Sequence, residues 1–344
     1  MKRFTNSVRK CISMSKSQNV PTMKDVAREA GVSLGTVSKV MNGITVGESY
    51  RKRVTDAAEK LGYQINSYAR GLKTNKTYSV AVILPDLEHP FFARLADELT
   101  RALMKRDYRT ILMLTSYDPE AEQECITMVR QNKADGIIAL TYNPDLEIDP
   151  SIPFVTIDRH CNAEVPCVSS DNFGGGRMAA EKLLSLGCKK LLFMRIGSSV
   201  SSEVDKRAAG FESICRMRNA EFESVILDDS ETEQPFYRFI DEHIAQGKFE
   251  FDGIFCNTDK LACLIWNKLI QSGVRVPEDV QIIGYDGTLC HITGKPLCSS
   301  IVQPIDRMAE AAVSILLKNN RSNLPVLMAL PVHYTEGGTT KEVT

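Results

Sequence analysis

The sequence predicts an α/β protein in which a small three-helix head precedes a larger, two-lobed body. Three observations support this prediction: a basic, helix-patterned segment within the first 76 residues, a regular alternation of apolar strands and amphipathic helices from Tyr78 onward, and a length of 344 residues. That length suits two or three domains. We expect a disordered tail over 1–20, a head over 21–65, a linker that forms a hinge helix over 66–76 and a body over 77–344.

Charge is distributed unevenly along the chain. The first 76 residues contain 15 Lys and Arg against 5 Asp and Glu, a net of +10, whereas the remainder has 27 basic and 38 acidic residues, a net of −11. A basic head on an acidic body favours a polyanion such as nucleic acid as the partner of the head. The alternative from charge alone is a solvated basic surface.

Export, a metal site and a cofactor are not indicated. The first twenty residues contain no apolar segment of the signal type, and no apolar run is long enough to cross a bilayer, so we expect a cytoplasmic protein. The ten cysteines form no Cys-x-x-Cys pair and lie mostly in apolar surroundings. Reduced core thiols are therefore expected, with no metal and no cofactor.

Start and stop signals divide the head into helices. Thr22 and Asp25 form a variant of the capping box, and Gly31 is suited to the positive φ that ends a helix. Ser33 is a candidate N-cap for a second helix over 34–41.

A third helix is expected over about 49–61, stopped by Gly62. The apolar residues expected to form the core of the head are Val26, Ala27, Ala30, Val37, Val40, Met41, Val54, Ala57, Ala58 and Leu61. Three short helices with a tight turn between the first two describe a helix-turn-helix unit, whose second helix can lie in the major groove of DNA.

The outward face of the second helix is the candidate DNA reader. Its residues are Leu34, Gly35, Thr36, Ser38, Lys39 and Asn42. Lys39 can donate to a guanine edge or to a phosphate. Ser33 and Thr36 can bind phosphates, which positions the helix without reading sequence. The alternative is an ordinary polar helix face.

Two segments of the head, "TMKDVAREAGVSLGTVSKVMNG" and "RVTDAAEKLGYQINSYARGLKTNKT", resemble the DNA-binding head of the LacI/GalR family of transcription regulators. The resemblance implies that the linker becomes a helix on operator DNA and that Leu72 enters the minor groove as an apolar wedge. Beyond the second helix it implies DNA contacts from Met23, Lys24, Tyr63, Asn66, Ala69, Arg70 and Leu72. The sequence departs from the family at Leu34 and Gly35, where polar side chains are common, and at Lys39, where arginine is common.

The body alternates strands and helices. Buried strands are expected at "YSVAVILP", "RTILMLT", "DGIIAL", "PFVTID", "KLLFMRI", "SVIL", "DGIFC" and "VQIIGYD", with helices between most of them. This alternation is typical of parallel sheets with helices on both faces. The number of strands exceeds one small sheet, so we expect two Rossmann-like lobes, with ligands bound beyond the carboxyl ends of the strands.

Polar residues collect at those strand ends, together with aromatic rings. Such a set suits a hydroxyl-rich ligand, because carboxylates accept hydrogen bonds from hydroxyl groups and aromatic faces cover C–H surfaces. Four alternatives stay open. Asp171 and Asp259 suit helix caps, Phe92 suits the core, and the Gly174–Gly176 run is a weak phosphate signal because it lacks dinucleotide-loop spacing.

The body also resembles the LacI/GalR family, through "ILPDLEHPFFARL", "DNFGGGRMAAEKLLSLG", "RAAGF", "FCNTDKLA" and "VQIIGYDG". The resemblance implies a homodimer with a periplasmic-binding-protein-like effector domain for a sugar or sugar derivative, and operator affinity controlled by that effector. The implied effector-binding residues are Asp86, Phe91, Phe92, Asp158, Arg159, Arg207, Thr258 and Asp286. Thr258 stands where several members have asparagine.

Two other classes compete with a regulator. A solute receptor of the same fold predicts a signal peptide and no head. An enzyme predicts a local catalytic motif, and the sequence contains no G-x-S-x-G, no Walker loop and no His-x-x-x-His. We therefore expect a regulator that is not an enzyme.

Overall fold

A computed structural model describes residues 21–41, 43–63, 76–143, 145–161, 164–197, 202–228, 234–318 and 324–342. The chain divides into two compact units, one within the first 75 residues and one from Lys76 to Thr344.

The first unit, the head, contains three helices: α1 (Met23–Ala30), α2 (Leu34–Met41) and α3 (Glu48–Leu61). The predicted capping interaction is present, since the Thr22 backbone N–H donates to the Asp25 carboxylate over 3.0 Å. The third helix begins one residue earlier than expected.

The head core is formed by the predicted apolar residues. Seven of them are buried, while Val40, Met41 and Leu61 are half-buried and pack against the others. Gly31 and Gly62 end α1 and α3 in the left-handed conformation, with φ values of 59° and 64°. A tight turn therefore separates α1 from α2.

The second unit begins with a sheet and its helices. In chain order these elements are β1 (Ser79–Leu84), α4 (Pro90–Met104), β2 (Arg109–Leu114), α5 (Pro119–Asn132), β3 (Ile137–Ala139), β4 (Phe154–Ile157) and β5 (Cys167–Ser170). All six residues of β1 are buried, as expected of a parallel strand covered on both faces.

The rest of the second unit contributes a second six-stranded sheet, a separate two-stranded sheet and one further strand of the first sheet. In chain order its elements begin with α6 (Asn172–Ser185), β6 (Lys190–Gly197), α7 (Lys206–Met217), β7 (Glu221–Asp228), α8 (Gln234–Glu242) and the short β8 (Ile244–Ala245) and β9 (Lys248–Phe249), which pair with each other. They continue with β10 (Gly253–Cys256), α9 (Asp259–Gln271), β11 (Gln281–Asp286), β12 (Ser300–Val302), α10 (Ile305–Leu316), β13 (Leu327–Leu330) and β14 (His333–Thr335).

The strand order defines two lobes. The first sheet has the order β13-β5-β4-β3-β1-β2 and is parallel throughout. The second has the order β14-β12-β11-β10-β6-β7, with only β14 antiparallel to its neighbour. The chain passes between the sheets after β5, after β12 and after β13.

Each lobe has its own apolar core. Helices α4, α5 and α10 pack against the first sheet, and α6, α7, α8 and α9 pack against the second. The predicted two-lobed α/β fold is confirmed. The pattern did not predict the short strands β5, β12, β13 and β14, two of which form sheet edges.

No helix among the described residues is long and apolar enough to cross a membrane. Six of the nine cysteines in the described part of the chain are buried. The described part of the chain contains no cluster of three or more His, Cys, Asp or Glu side chains suited to a metal ion.

Candidate functional site

The second helix of the head presents most of the predicted reading residues to solvent. Ser33, Leu34, Gly35 and Lys39 are exposed, with Leu34 at 45%, whereas Thr36 and Ser38 are half-buried. Ser33 caps the helix as predicted, because its hydroxyl accepts from the Thr36 backbone N–H over 3.1 Å. An exposed leucine beside an exposed glycine is an apolar surface that can approach a thymine methyl group.

Arg53 on α3 anchors the turn that positions this helix. Its guanidinium donates to the carbonyls of Ala30 and Gly31, over 2.6 and 2.9 Å. These carbonyls end α1, so the contact ties α3 to the turn between α1 and α2. The sequence-based prediction omitted Arg53 because its partners are backbone atoms some twenty residues away.

The remaining predicted DNA contacts divide into two groups. Lys24 is exposed, whereas Met23 and Tyr63 are half-buried and pack against the core of the head. Asn42, Asn66, Ala69, Arg70 and Leu72 lie outside the described residues. The DNA contacts of all these residues stay predictions.

In the body, Arg207 connects several polar groups that follow strand ends. It is 2% exposed and donates from Nε to Asn172 Oδ1 over 2.7 Å and from Nη1 to the Asn257 carbonyl. Its guanidinium lies 3.5 Å from the centroid of the Tyr285 ring. These contacts fix the guanidinium plane, which leaves a rigid cation beside the ends of β4, β10 and β11.

Asp158 lies directly after β4 and is buried beside this cation. The Ser169 hydroxyl donates to Asp158 Oδ1 over 2.6 Å. The Asp158 backbone carbonyl accepts from the backbone N–H of Glu203 in the second lobe over 2.9 Å. Burial raises the pKa of Asp158, although Arg207 and Ser169 act in the opposite direction. The residue therefore contributes both a carboxylate and a hydrogen bond between the two lobes.

Asp286, at the end of β11, holds an unsatisfied acceptor. Its side chain is buried, and Gln303 donates to Oδ1 over 2.7 Å. Its Oδ2 and the Gln303 Oε1 are buried without a hydrogen-bond partner among the described residues. Burial raises the pKa of Asp286, opposed by His89 and Arg207. Because an unpaired buried acceptor is costly, a donor supplied by a ligand would be favourable here.

Asp86 and two tyrosines form a cluster in the first lobe. The carboxylate accepts from the backbone N–H groups of Glu88 and His89, over 2.7 and 2.9 Å, and from the Tyr117 hydroxyl over 2.7 Å. Burial raises the pKa of Asp86, but these hydrogen bonds outweigh that effect and hold it below its usual value. Tyr117 packs edge-on against Tyr142.

Arg159 and Glu122 extend this cluster, since both contact Tyr142. The Arg159 guanidinium lies 3.7 Å from the centroid of the Tyr142 ring. Glu122 is buried and accepts from the Tyr142 backbone N–H over 3.2 Å. Burial raises the pKa of Glu122, with Arg159 among the groups that oppose it. The sequence-based prediction included Arg159 and omitted Glu122, which lies in the first turn of the predicted helix α5 and not at a strand end.

The alternatives for single residues are resolved by their contacts. Asp171 caps α6, since it accepts from the Gly174 backbone N–H over 2.8 Å. The cap proposed for Asp259 is wrong, because Thr258 caps α9 by accepting from the Leu261 backbone N–H. Phe91 and Phe92 are both buried in the first-lobe core. The effector contacts of Phe91, Phe92 and Thr258 stay predictions.

The Gly174–Gly176 run serves the packing of two helices. A Cβ on Gly176 would lie 2.0 Å from the Arg207 carbonyl oxygen, and a Cβ on Gly175 would lie 2.7 Å from the Tyr285 ring. Glycine therefore lets α6 approach α7 closely enough to place Arg207 on Tyr285. Close packing accounts for Gly175 and Gly176 without a phosphate, and a Cβ on Gly174 would lie 2.2 Å from the Asp171 carboxylate that caps α6.

A helix-turn-helix head joined to a two-lobed body with polar groups at its strand ends defines the class of ligand-controlled DNA-binding regulators. Two family models match the chain: "Bacterial regulatory proteins, lacI family" over residues 22–66, and "Periplasmic binding proteins and sugar binding domain of LacI family" over residues 77–323. The chain belongs to the LacI family of transcription regulators.

Several relatives match along nearly their whole length. The sucrose operon repressor of Streptococcus mutans is 32% identical, over 92% of this chain and 99% of that repressor. The ribose operon repressor of Bacillus subtilis is 30% identical, over 93% and 99%.

Solved structures share the fold. The Lac repressor dimer bound to operator and an anti-inducer is 21% identical with a TM-score of 0.77, over 93% of this chain and 99% of that one. A LacI-type regulator or periplasmic binding protein from Alkaliphilus metalliredigens, complexed with D-xylulofuranose, is 27% identical with a TM-score of 0.66, over 77% and 100%.

Proposed function

We propose that this chain is a repressor that binds operator DNA as a homodimer and releases or engages it in response to a neutral sugar held between the lobes of its body. The head, over 21–65, reads the operator, the linker over 66–76 forms a hinge helix on DNA, and the body over 77–344 binds the sugar and the second subunit. Such a regulator acts on DNA in the cytoplasm and catalyses no reaction.

The buried Oδ2 of Asp286 is the observation that carries the effector site. It is a strong acceptor with no partner among the described residues, and a sugar hydroxyl is a donor of the right chemistry. Asp158, buried beside Arg207, and Asp86 supply further carboxylates at strand ends. The aromatic surface of Tyr117 and Tyr142 suits the C–H face of a sugar ring.

Charge favours a neutral sugar over a phosphorylated one. The site contains buried or half-buried carboxylates at Asp86, Asp158 and Asp286. Its two guanidinium groups already have protein contacts: Arg207 donates to Asn172 and to the Asn257 carbonyl, and Arg159 lies on the Tyr142 ring. A phosphate would bring further negative charge among carboxylates. The relatives that regulate sucrose and ribose operons are named for neutral sugars.

A thermal-shift screen of the full-length protein tests this proposal. The panel contains sucrose, ribose, other neutral sugars, their phosphates and nucleobases. A neutral sugar at about 100 times its Kd should add about 2.7 kcal/mol of stability. Stabilisation by phosphorylated sugars or nucleobases alone would contradict the proposed effector class.

Asp286→Asn then tests the site, with Asp149→Asn as the matched control because Asp149 is a half-buried loop carboxylate that accepts from Ser151. We expect Asp286→Asn to weaken sugar binding by about 1.5–3 kcal/mol, the value of a charge-assisted hydrogen bond, while the control binds normally. Equal affinities, measured by calorimetry, would assign Asp286 a purely structural role.

A further inference from the structure

A single 3₁₀ turn, Glu203–Asp205, precedes α7 and contacts the first lobe. The buried Glu203 carboxylate lies with its Oε1 3.0 Å from His160 Nε2. The Glu203 backbone N–H donates to the Asp158 carbonyl over 2.9 Å. Asp158 and His160 follow β4 in the first lobe, whereas Glu203 follows β6 in the second. Both contacts therefore cross from one lobe to the other.

The second lobe holds this turn in place without help from His160. Asp205 pairs with Arg195, a buried residue of β6. The Lys206 ammonium donates to both carboxylate oxygens of Glu203, over 2.8 and 2.7 Å. The buried carboxylate thus has a charged partner within its own lobe, as buried charges require. The stability of the second lobe alone gives no role to the contact with His160.

The backbone of Asp158 depends on support from its surroundings. Its φ is 56°, in the left-handed region that a residue other than glycine keeps only when neighbouring groups hold it there. The Asp158 N–H donates to the Val168 carbonyl on β5 over 3.0 Å, and the Asp158 carbonyl accepts from Glu203. A contact across the lobes therefore helps to fix the residue that carries one of the proposed effector carboxylates.

We propose that His160 and Glu203 form a latch that holds the two lobes together and positions the Asp158 carboxylate. His160 is a positioning residue in this account, because it acts on the effector through Asp158. The inference rests on the proposed function and adds a means of regulation to the same site. A body without the latch opens more readily, and its affinity for the effector falls with the fraction of closed protein.

Hydrogen exchange of the ligand-free, full-length protein tests the latch, because the Glu203 amide is itself a contact between the lobes. His160 is exposed, so its replacement is compatible with folding. His160→Ala removes the pair, and His160→Gln keeps an N–H donor. His333→Ala, which removes an exposed histidine of β14, is the matched control.

The expected change is local. In His160→Ala the Glu203 amide should exchange about tenfold faster, as for the loss of one hydrogen bond to a charged group, while the amides of β1 keep their wild-type rates. His160→Gln should restore most of the protection, and His333→Ala should match the wild type. An unchanged rate at Glu203, or equally faster exchange in β1, would overturn the proposal.

Energy transfer from the single tryptophan separates opening of the lobes from local fraying. Trp266 lies on α9 in the second lobe. Acridonylalanine in place of Met128, which is exposed on α5 in the first lobe, is the acceptor. The transfer efficiency should change in His160→Ala and stay at the wild-type value in His160→Gln and His333→Ala.

Unchanged transfer in His160→Ala would overturn the latch even if the Glu203 amide exchanged faster, since the lobes would then stay together. Neither measurement uses sugar or DNA. Failure of the latch is therefore distinguishable from failure of the proposed function, which the thermal-shift screen tests separately.

Discussion

At the scale of single residues, the proposed function leaves the head few side chains with which to read DNA. Gly35 offers no side chain and Leu34 only an apolar one, so we expect Lys39 to carry the main polar readout of α2. We expect the shape and deformability of the operator to supply part of the remaining specificity.

Lys39→Ala should weaken specific operator binding by roughly 1–3 kcal/mol, because a base-edge contact is lost. Fluorescence anisotropy with operator and scrambled DNA measures both affinities. Lys52→Ala, which removes an exposed lysine from α3, is the control for loss of charge. If both variants lose the same affinity for both DNAs, Lys39 contacts only phosphates.

Asp259 should make stability depend on pH. Burial and the nearby Asp286 raise its pKa to about 7, from an ordinary value of 3.8. The folded protein therefore takes up a proton more readily than the unfolded chain, and this contribution is complete below about pH 4 and lost as pH rises through about 7.

Urea unfolding of wild type and Asp259→Asn between pH 5 and 8 checks the direction of this pH dependence of the free energy of unfolding. The wild type should gain stability relative to the variant as pH falls. A stability difference that stays constant across this range would mean that Asp259 is ionised throughout.

At the scale of elements, the approach of α6 to α7 positions Arg207. Gly210 on α7 repeats the close contact seen at Gly176, since a Cβ there would lie 2.1 Å from the Phe173 carbonyl oxygen. Two glycines facing opposite helices allow backbone contact at the point where the chain enters the second lobe.

Gly176→Ala should destabilise the body by about 1–3 kcal/mol, because the added methyl group overlaps backbone atoms that cannot move away. Sugar binding should weaken as well, since Arg207 must shift. Gly35→Ala is the control: its Cβ would lie 3.6 Å from Ser33 Oγ, and alanine is the better helix former. Equal unfolding midpoints for wild type and Gly176→Ala would contradict this packing role.

The linker, which we propose forms a helix on DNA, contains Asn66, Ser67 and Gly71, which are residues of low helix propensity. Leu72→Ser should reduce operator bending and specific affinity while sugar binding stays unchanged. Energy transfer between dyes on the two operator ends reports the bend. Equal bending by both proteins would exclude the wedge.

At the scale of the whole molecule, the two-lobed fold was predictable because it depends on local patterns. Continuous apolar runs such as Ser79–Leu84 become central strands, and amphipathic runs such as Pro90–Met104 cover them. The edge strand Leu327–Leu330 was missed because it is half-buried and pairs with a segment far away in sequence.

The candidate site was predictable only in part, for a similar reason. Asp86, Asp158 and Asp286 follow predicted strands, and a strand-end rule finds them. The unpaired oxygen of Asp286 and the Arg53 anchor depend on contacts between distant segments, which no local pattern encodes. The cap at Thr258 is local, since its hydroxyl accepts from the Leu261 backbone N–H, but Thr258 and Asp259 are adjacent residue types that both suit a cap.

The central claim is that sugar in the body and operator at the head are coupled in one molecule. Thermodynamic linkage requires the coupling to be reciprocal, and we expect about 1–3 kcal/mol. The direct measurement is a calorimetric titration of the identified sugar into the dimer, with and without saturating operator. The account predicts sugar affinities that differ by about 5–150-fold; identical affinities would contradict it, even if both sites bind their ligands.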